Sequence, residues 1–206
     1  AAEGVGFRTV LTTEFEAATD DFSGVLAELN DAQPEVIVVV GRIQNDLLLA
    51  RRLAESGANA GIVVAVAAGI QGFHDDLGRL AERFVGPSQW EPETDLEPDF
   101  GPNSQQAMAS LRRRGESHVD YVMAQAYAAG VVLQRCLEET GNADSQTLRD
   151  AAARLRFSTF YGNFQIDGET GRQVGREALL VQWREGRKVI VWPPQLAQGA
   201  LAYPWR

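Results

Sequence analysis

Two uninterrupted apolar pentapeptides, Val-Ile-Val-Val-Val at residues 36–40 and Ile-Val-Val-Ala-Val at residues 62–66, constrain this chain more than any other feature. Each is too short for an ordinary globular helix and is rich in β-branched residues, which suits a strand. A strand without polar alternation needs cover on both faces, and that is the environment of a parallel sheet flanked by helices. Parallel neighbours also need a crossover. Residues 44–56 provide one, with Leu47, Leu48, Arg51 and Ala54 at helical spacing and Gly57 as the stop. Upstream, residues 5–11 have strand character. Asp20 or Asp21 can cap a helix that places Phe22, Val25, Leu26 and Leu29 on one face, and Pro34 ends the connection. A shorter helix is expected over residues 73–83. Strand, helix, strand, helix and strand in this order describe a doubly wound α/β unit.

The pattern changes after Gly86. Residues 87–102 carry prolines and acids with little periodicity and read as a crossover. Three helices follow, over residues 103–114, 119–139 and 145–155, the last with Ser145 as its expected cap. The longest has Val119, Val122, Ala126, Gly130, Leu133 and Leu137 in one stripe. No strand separates these helices, so they face a sheet that this stretch does not supply. The tail reads as β-hairpins: residues 164–166, a turn at 167–171, residues 178–183, a turn at 184–187, and residues 188–192.

Composition removes several function classes. The formal charge of -9 disfavours capture of nucleic acid or anionic lipid. The run Arg112, Arg113, Arg114 fits a solvated helix face. The single cysteine, Cys136, allows no intrachain disulfide and lies in an apolar helical run, where a small buried hydrophobe is expected. His74 and His118 have no chelating neighbours, so no metal site is expected. The chain carries no Gly-x-Ser-x-Gly elbow and no Walker loop. Gly4-x-Gly6 precedes a strand-like stretch instead of following one, which argues against a dinucleotide fingerprint. Glu138 and Glu139 sit on a solvated helix end, so a glycosidase pair has no support. Neither a cofactor nor catalysis is therefore expected. Residues 1–10 show no basic or apolar leader region, so the chain is expected to be either cytoplasmic or an exported protein in mature or truncated form.

Several short motifs, taken in order, resemble the type I periplasmic solute-binding proteins of ABC importers, the branched-chain amino acid receptor class. They are Asp21-Phe22-Ser23 at a helix start, Pro-Glu-Val-Ile-Val-Val at residues 34–39, and Gly86-Pro87-x-x-Trp90-x-Pro92. Ala-Gln-Ala-Tyr-Ala-Ala-Gly at residues 124–130, Phe160-Tyr161-Gly162, Gln182-Trp183 and Trp192-Pro193 complete the series. The resemblance implies a periplasmic binding protein type I fold of two α/β lobes that close on a small ligand. Residues 1–86 would be the second-lobe α/β segment, 87–102 a crossover, 103–158 a helical segment of the first lobe, and 159–206 a crossover and β-rich return. Family members are about twice this length, so the chain resembles the C-terminal part, with the N-terminal part of the same protein as its missing partner. The implied role is extracytoplasmic (periplasmic or extracellular) binding of an amino acid, amide or small organic acid for delivery to an ABC importer permease. Anchoring to the membrane through the absent N-terminus would fit. A ligand-sensing domain of the same fold is the alternative, and a fragment of an α/β enzyme is a third possibility.

In open α/β sheets, ligands sit beyond the carboxyl ends of the strands. That rule selects the loop with Arg42, Gln44 and Asn45 after the first pentapeptide, and Ala67, Ala68 and Gly69 after the second. Arg42 suits an anionic group through bidentate contact, whereas Asn45 or Asp46 could simply cap the helix. Amino acid receptors of the family place a carboxylate in the second loop to hold the ligand's ammonium. Here that loop offers only Ala and Gly, with Asp46, Asp75 and Asp76 as possible substitutes. The departure makes an amide or an apolar carboxylate as plausible as an amino acid. Trp90 either lines the cleft or braces the hinge.

Overall fold

The computed structural model describes residues 2–94, 96–115 and 118–205, which form two compact units. Unit 1 comprises residues 1–87 and 180–206, and unit 2 comprises residues 88–179.

Unit 1 is built on the two pentapeptides. β1 (Val36–Val39) pairs in parallel with β2 (Ile62–Ala65), with Val39 opposite Ala65, and β2 pairs in parallel with β3 (Val85–Ser88). α1 (Ser23–Ala32) leads into β1, and α2 (Ile43–Ser56) crosses from β1 to β2, ending at Gly57 with φ 71°. A 3-10 turn (Val66–Gly69) and α3 (Gln71–Leu77) follow β2. The sheet is extended beyond β3 by two strands of the tail. The core gathers Phe22, Ile37, Val39, Leu49, Leu53, Val63, Phe73, Phe84, Trp183 and Trp205.

Unit 2 contains α4 (Ser104–Arg112), α5 (Tyr121–Thr140), α6 (Ser145–Arg154) and a two-stranded hairpin of β4 (Phe157–Thr159) with β5 (Gly162–Phe164). Asn103 and Gln106 form a reciprocal capping box at the start of α4. The unit's core is Trp90, Ala107, Ala124, Ala128, Phe160 and Tyr161. The Arg176 guanidinium lies 4.0 Å over the Tyr161 ring and donates to the carbonyls of Gln89 and Tyr161. The remaining strands, β6 (Leu179–Arg184) and β7 (Arg187–Trp192), form an antiparallel hairpin and complete a sheet of order β1-β2-β3-β6-β7. Glu185 at φ 51° and Gly186 at φ 75° make its turn, the left-handed pair that a two-residue hairpin loop requires.

Several sequence expectations are corrected. Residues 5–11 form no strand: Val5 ends a 3-10 turn and residues 7–11 carry no ladder bond to any described strand. Nor is β1 covered on both faces. Ile37 and Val39 are buried, but Val38 is 64% and Val40 73% exposed. The helix expected over residues 73–83 is α3 followed by a 3-10 turn (Gly78–Ala81), separated where Gly78 takes φ 54°. Asp144, not Ser145, caps α6, accepting the N–H of Thr147 at 2.9 Å. The first tail hairpin forms earlier than expected, between β4 and β5, and Ile166 makes only an isolated bridge to Gln173.

The long helix departs most. Its buried side is Ala124, Ala128, Val131 and Cys136, whereas the stripe of Val122, Ala126, Gly130, Leu133 and Leu137 faces outward. α5 is thus apolar on two sides, and the described residues cover one.

Candidate functional site

The register Val39 opposite Ala65 sets the carboxyl ends of β1 and β2 side by side, so the loops that follow emerge together. Arg42 is the N-terminal cap residue of α2, in extended conformation (φ -74°, ψ 158°), and its side chain makes no cap bond. It is exposed and has no ion pair or hydrogen bond to any described side chain. Gln44 is exposed as well. Around them lie exposed apolar side chains: Val40, Ile43 (51%) and, from the end of β2, Val66 (38%). A guanidinium with all five donors available beside aliphatic surface can hold an acid group and shelter an apolar body.

The other sequence-selected residues lie inside. Asn45 is 3% exposed, and its Nδ2 donates to the carbonyls of Ala17 and Thr19, both at 3.3 Å. It anchors the loop before α1 and does not cap α2. Ala67 and Ala68 are 4% and 0% exposed, and Gly69 is buried with them. Trp90 is 2% exposed in unit 2. Its Nε1 donates to the Phe160 carbonyl at 3.1 Å while its ring stacks on Tyr161 and meets Phe160 edge-on.

The loop after β2 is fastened from three sides. Asp46, fully buried, accepts the Ala67 N–H at 2.9 Å through Oδ2. Trp183 Nε1 donates to the Ala68 carbonyl at 2.8 Å, and Lys188 Nζ to the Gly69 carbonyl at 3.1 Å. A methyl group at Gly86 would collide with the Ala68–Gly69 peptide, so glycine there permits the close approach. None of these anchors was legible in the sequence, since each joins residues far apart in the chain.

Burial raises the Asp46 pKa, and the amides of Ala67, Gly41 and Val66 pull it back only in part. Its Oδ1 meets no hydrogen-bond partner of good geometry, so the facing Gly41 and Val66 amides act as dipoles more than as bonds. Asp75 and Asp76, the other candidate acids, are engaged by Gln71 and Arg51. Among the described residues, no group of acids, histidines and cysteines is arranged to hold a metal ion. No described helix is long and apolar enough to cross a membrane.

A sequence profile of the periplasmic binding protein family matches residues 1–188, and the chain belongs to that family. The family points to an extracytoplasmic location. The fold is similar to that of an extracellular ligand-binding receptor from Rhodopseudomonas palustris HaA2, with a TM-score of 0.76 at 19% identity over 93% of this chain and 57% of that one. It is similar to a leucine-binding protein from Thermotoga maritima MSB8, with a TM-score of 0.73 at 18% identity over 85% of this chain and 49% of that one. A solute-binding protein from R. palustris in complex with benzoate matches with a TM-score of 0.68 at 16% identity over 84% of this chain and 47% of that one. The chain therefore spans about half the length of the solved structures it matches.

Proposed function

We propose that this chain is part of an extracytoplasmic solute-binding protein that captures a small ligand for an ABC importer and does no chemistry on it. The ligand is an acid, amide or amino acid with an apolar body, held on unit 1 where β1 and β2 end. One observation carries the reading: Arg42 stands unpaired beside Val40, Ile43 and Val66 at adjacent strand ends. Leucine and benzoate, the ligands named for two similar proteins, both join a carboxylate to an apolar group. A carboxylate without an ammonium suits this surface better, because Asp46 is buried and Asp75 and Asp76 are engaged. The whole binding protein includes an N-terminal part beyond these residues, and its downstream partner is a membrane permease.

Thermal melts with leucine, benzoate and benzamide, run on the longest natural polypeptide that contains these residues, test the proposal. A saturable rise in melting temperature with the ligand recovered unchanged supports binding, and product formation overturns it. A hydrogen bond to a charged group contributes about 1.5–3 kcal/mol. Arg42→Ala should therefore weaken an anionic ligand roughly tenfold to a hundredfold. Equal affinity in both proteins would remove Arg42 from the site.

A further inference from the structure

Beneath the Arg42 surface lies a carboxylate. Asp46 is fully buried, yet it touches both loops that frame that surface. Its N–H donates to the Arg42 carbonyl at 2.9 Å, and its Oδ2 accepts the Ala67 N–H at 2.9 Å. A methyl group added at Gly41 would meet its Oδ1 at 2.7 Å. Gly41 lies between Val40 and Arg42, and Ala67 follows Val66, so whatever rests on those side chains rests on the roof over this carboxylate. Oδ1 has no hydrogen-bond partner of good geometry. Among the described residues no cation pairs with it. The loop after β2, residues 66–69, carries no titratable side chain. From the segment before α1, Phe15 approaches Gly41, while the neighbouring Glu14 and Glu16 are exposed. On α2, Arg51 pairs with Asp76 and Arg52 with Glu55. From α3, Asp75 engages Gln71 and His74 stacks on Trp183, and Lys188 of β7 donates to the Gly69 carbonyl. Burial without a counter-charge pushes the Asp46 pKa up.

A ligand lying on Val40, Arg42, Ile43 and Val66 changes the surroundings of this acid in two ways. It removes water from the roof, which disfavours a charged carboxylate, and an anionic ligand also adds a like charge nearby. Both effects favour the neutral acid. Oδ1 can take the proton without disturbing the loops, since Oδ2 keeps the Ala67 N–H. We propose that Asp46 makes this surface selective for ligand charge: an anion held at Arg42 is captured together with one proton from solvent. The proton forms an O–H bond at Oδ1 of Asp46 and returns to solvent when the ligand leaves. A neutral amide brings no charge and needs no such proton. By reciprocity, affinity for the anion is highest while Asp46 is protonated and falls as pH rises through its pKa, by at most about tenfold per pH unit for one proton. The inference rests on the proposed ligand surface for its location.

Titration calorimetry with benzoate and benzamide, on the longest natural polypeptide that contains these residues, tests it above about pH 5.5, where a free carboxylate is ionised. Benzoate affinity in the parent should fall about threefold or more per pH unit over part of the range up to about pH 8. Asp46→Asn keeps an acceptor for Ala67 and should give a flat profile, and benzamide should show little dependence in either protein. Equal benzoate profiles in the two proteins, or the same slope for benzamide, overturn the coupling. A measurement without ligand keeps the two proposals distinct. Arg42→Glu sets a fixed negative charge where the ligand's would lie, and Arg42→Gln omits it. The Asp46 carboxyl carbon, assigned in NMR spectra through Asp46→Asn, should hold its proton roughly tenfold more tightly in Arg42→Glu than in Arg42→Gln. Equal midpoints overturn the inference. If the midpoints differ while neither benzoate nor benzamide binds, the proton coupling stands and the proposed function falls.

Discussion

The carboxylate of Asp46, in the first turn of α2, accepts the backbone N–H of Ala67 at 2.9 Å, tying the loop after β2 to the helix after β1. Both candidate loops are thereby set by one buried side chain that points away from solvent. What remains exposed at the strand ends is Arg42 with its apolar neighbours.

Removing that tie should be costly, whereas neutralising it should not. Asp46→Ala leaves the Ala67 N–H without a partner and should destabilise unit 1 by about 1–3 kcal/mol. Asp46→Asn keeps an acceptor oxygen and removes a buried charge. Burial raises the pKa of Asp46, so the folded state binds its proton more readily than the unfolded state does. Its contribution to stability is therefore complete below the unfolded value of about 4 and is lost as pH rises through the folded pKa. Urea unfolding across that window should show a shallower decline with pH for Asp46→Asn than for the parent. Identical pH profiles would contradict the account.

Two glycines should respond oppositely to the same methyl group. At Gly86 it meets the Ala68–Gly69 peptide, which cannot yield as a flexible side chain could. Gly86→Ala should cost about 3 kcal/mol, a fall of roughly 6–12 °C in melting temperature. Gly24, inside α1, has open space around it, and Gly24→Ala should raise stability by up to about 1 kcal/mol. Calorimetry on the pair decides the matter, and equal effects would count against the packing described.

Trp90→Phe separates bracing from ligand contact. The variant keeps a ring against Phe160 and Tyr161 but leaves the Phe160 carbonyl without its donor. A loss of about 1–3 kcal/mol is expected, with ligand affinity unchanged in titration calorimetry. A clear loss of affinity at unchanged stability would return Trp90 to the binding surface.

The outward stripe of α5 should tolerate polarity in this chain. Leu133 is 50% exposed, so Leu133→Gln should change stability by no more than about 0.5 kcal/mol. Exposed apolar stripes promote association, and sedimentation velocity should show less self-association for the variant. A large loss of stability would mean that Leu133 is packed within this chain.

Much of the α/β framework could be read directly from residue order. The pentapeptides became β1 and β2, Gly57 ended α2, and residues 184–187 turned the last hairpin, because each depends on neighbours within a few positions. The candidate site was legible only as two loops. Arg42, Gln44 and Asn45 look alike on paper, yet Asn45 turns inward to carbonyls some 26 and 28 positions away. Ala67 and Ala68 were marked by position, and their burial follows from Asp46, Trp183 and Gly86, distant partners that no local pattern announces.

Sequence alone determined which segments are apolar enough to need cover, since hydrophobic spacing is a property of the chain. Tertiary structure decided which side received that cover. Val122, Ala126, Gly130, Leu133 and Leu137 form as regular a stripe as any in the chain, yet α5 packs on Ala124, Ala128 and Val131. Residues 7–11 have the composition of a strand and lack the neighbour that would make them one. Burial and pairing need a second surface, and where that surface lies is written in the fold, not in the order of residues.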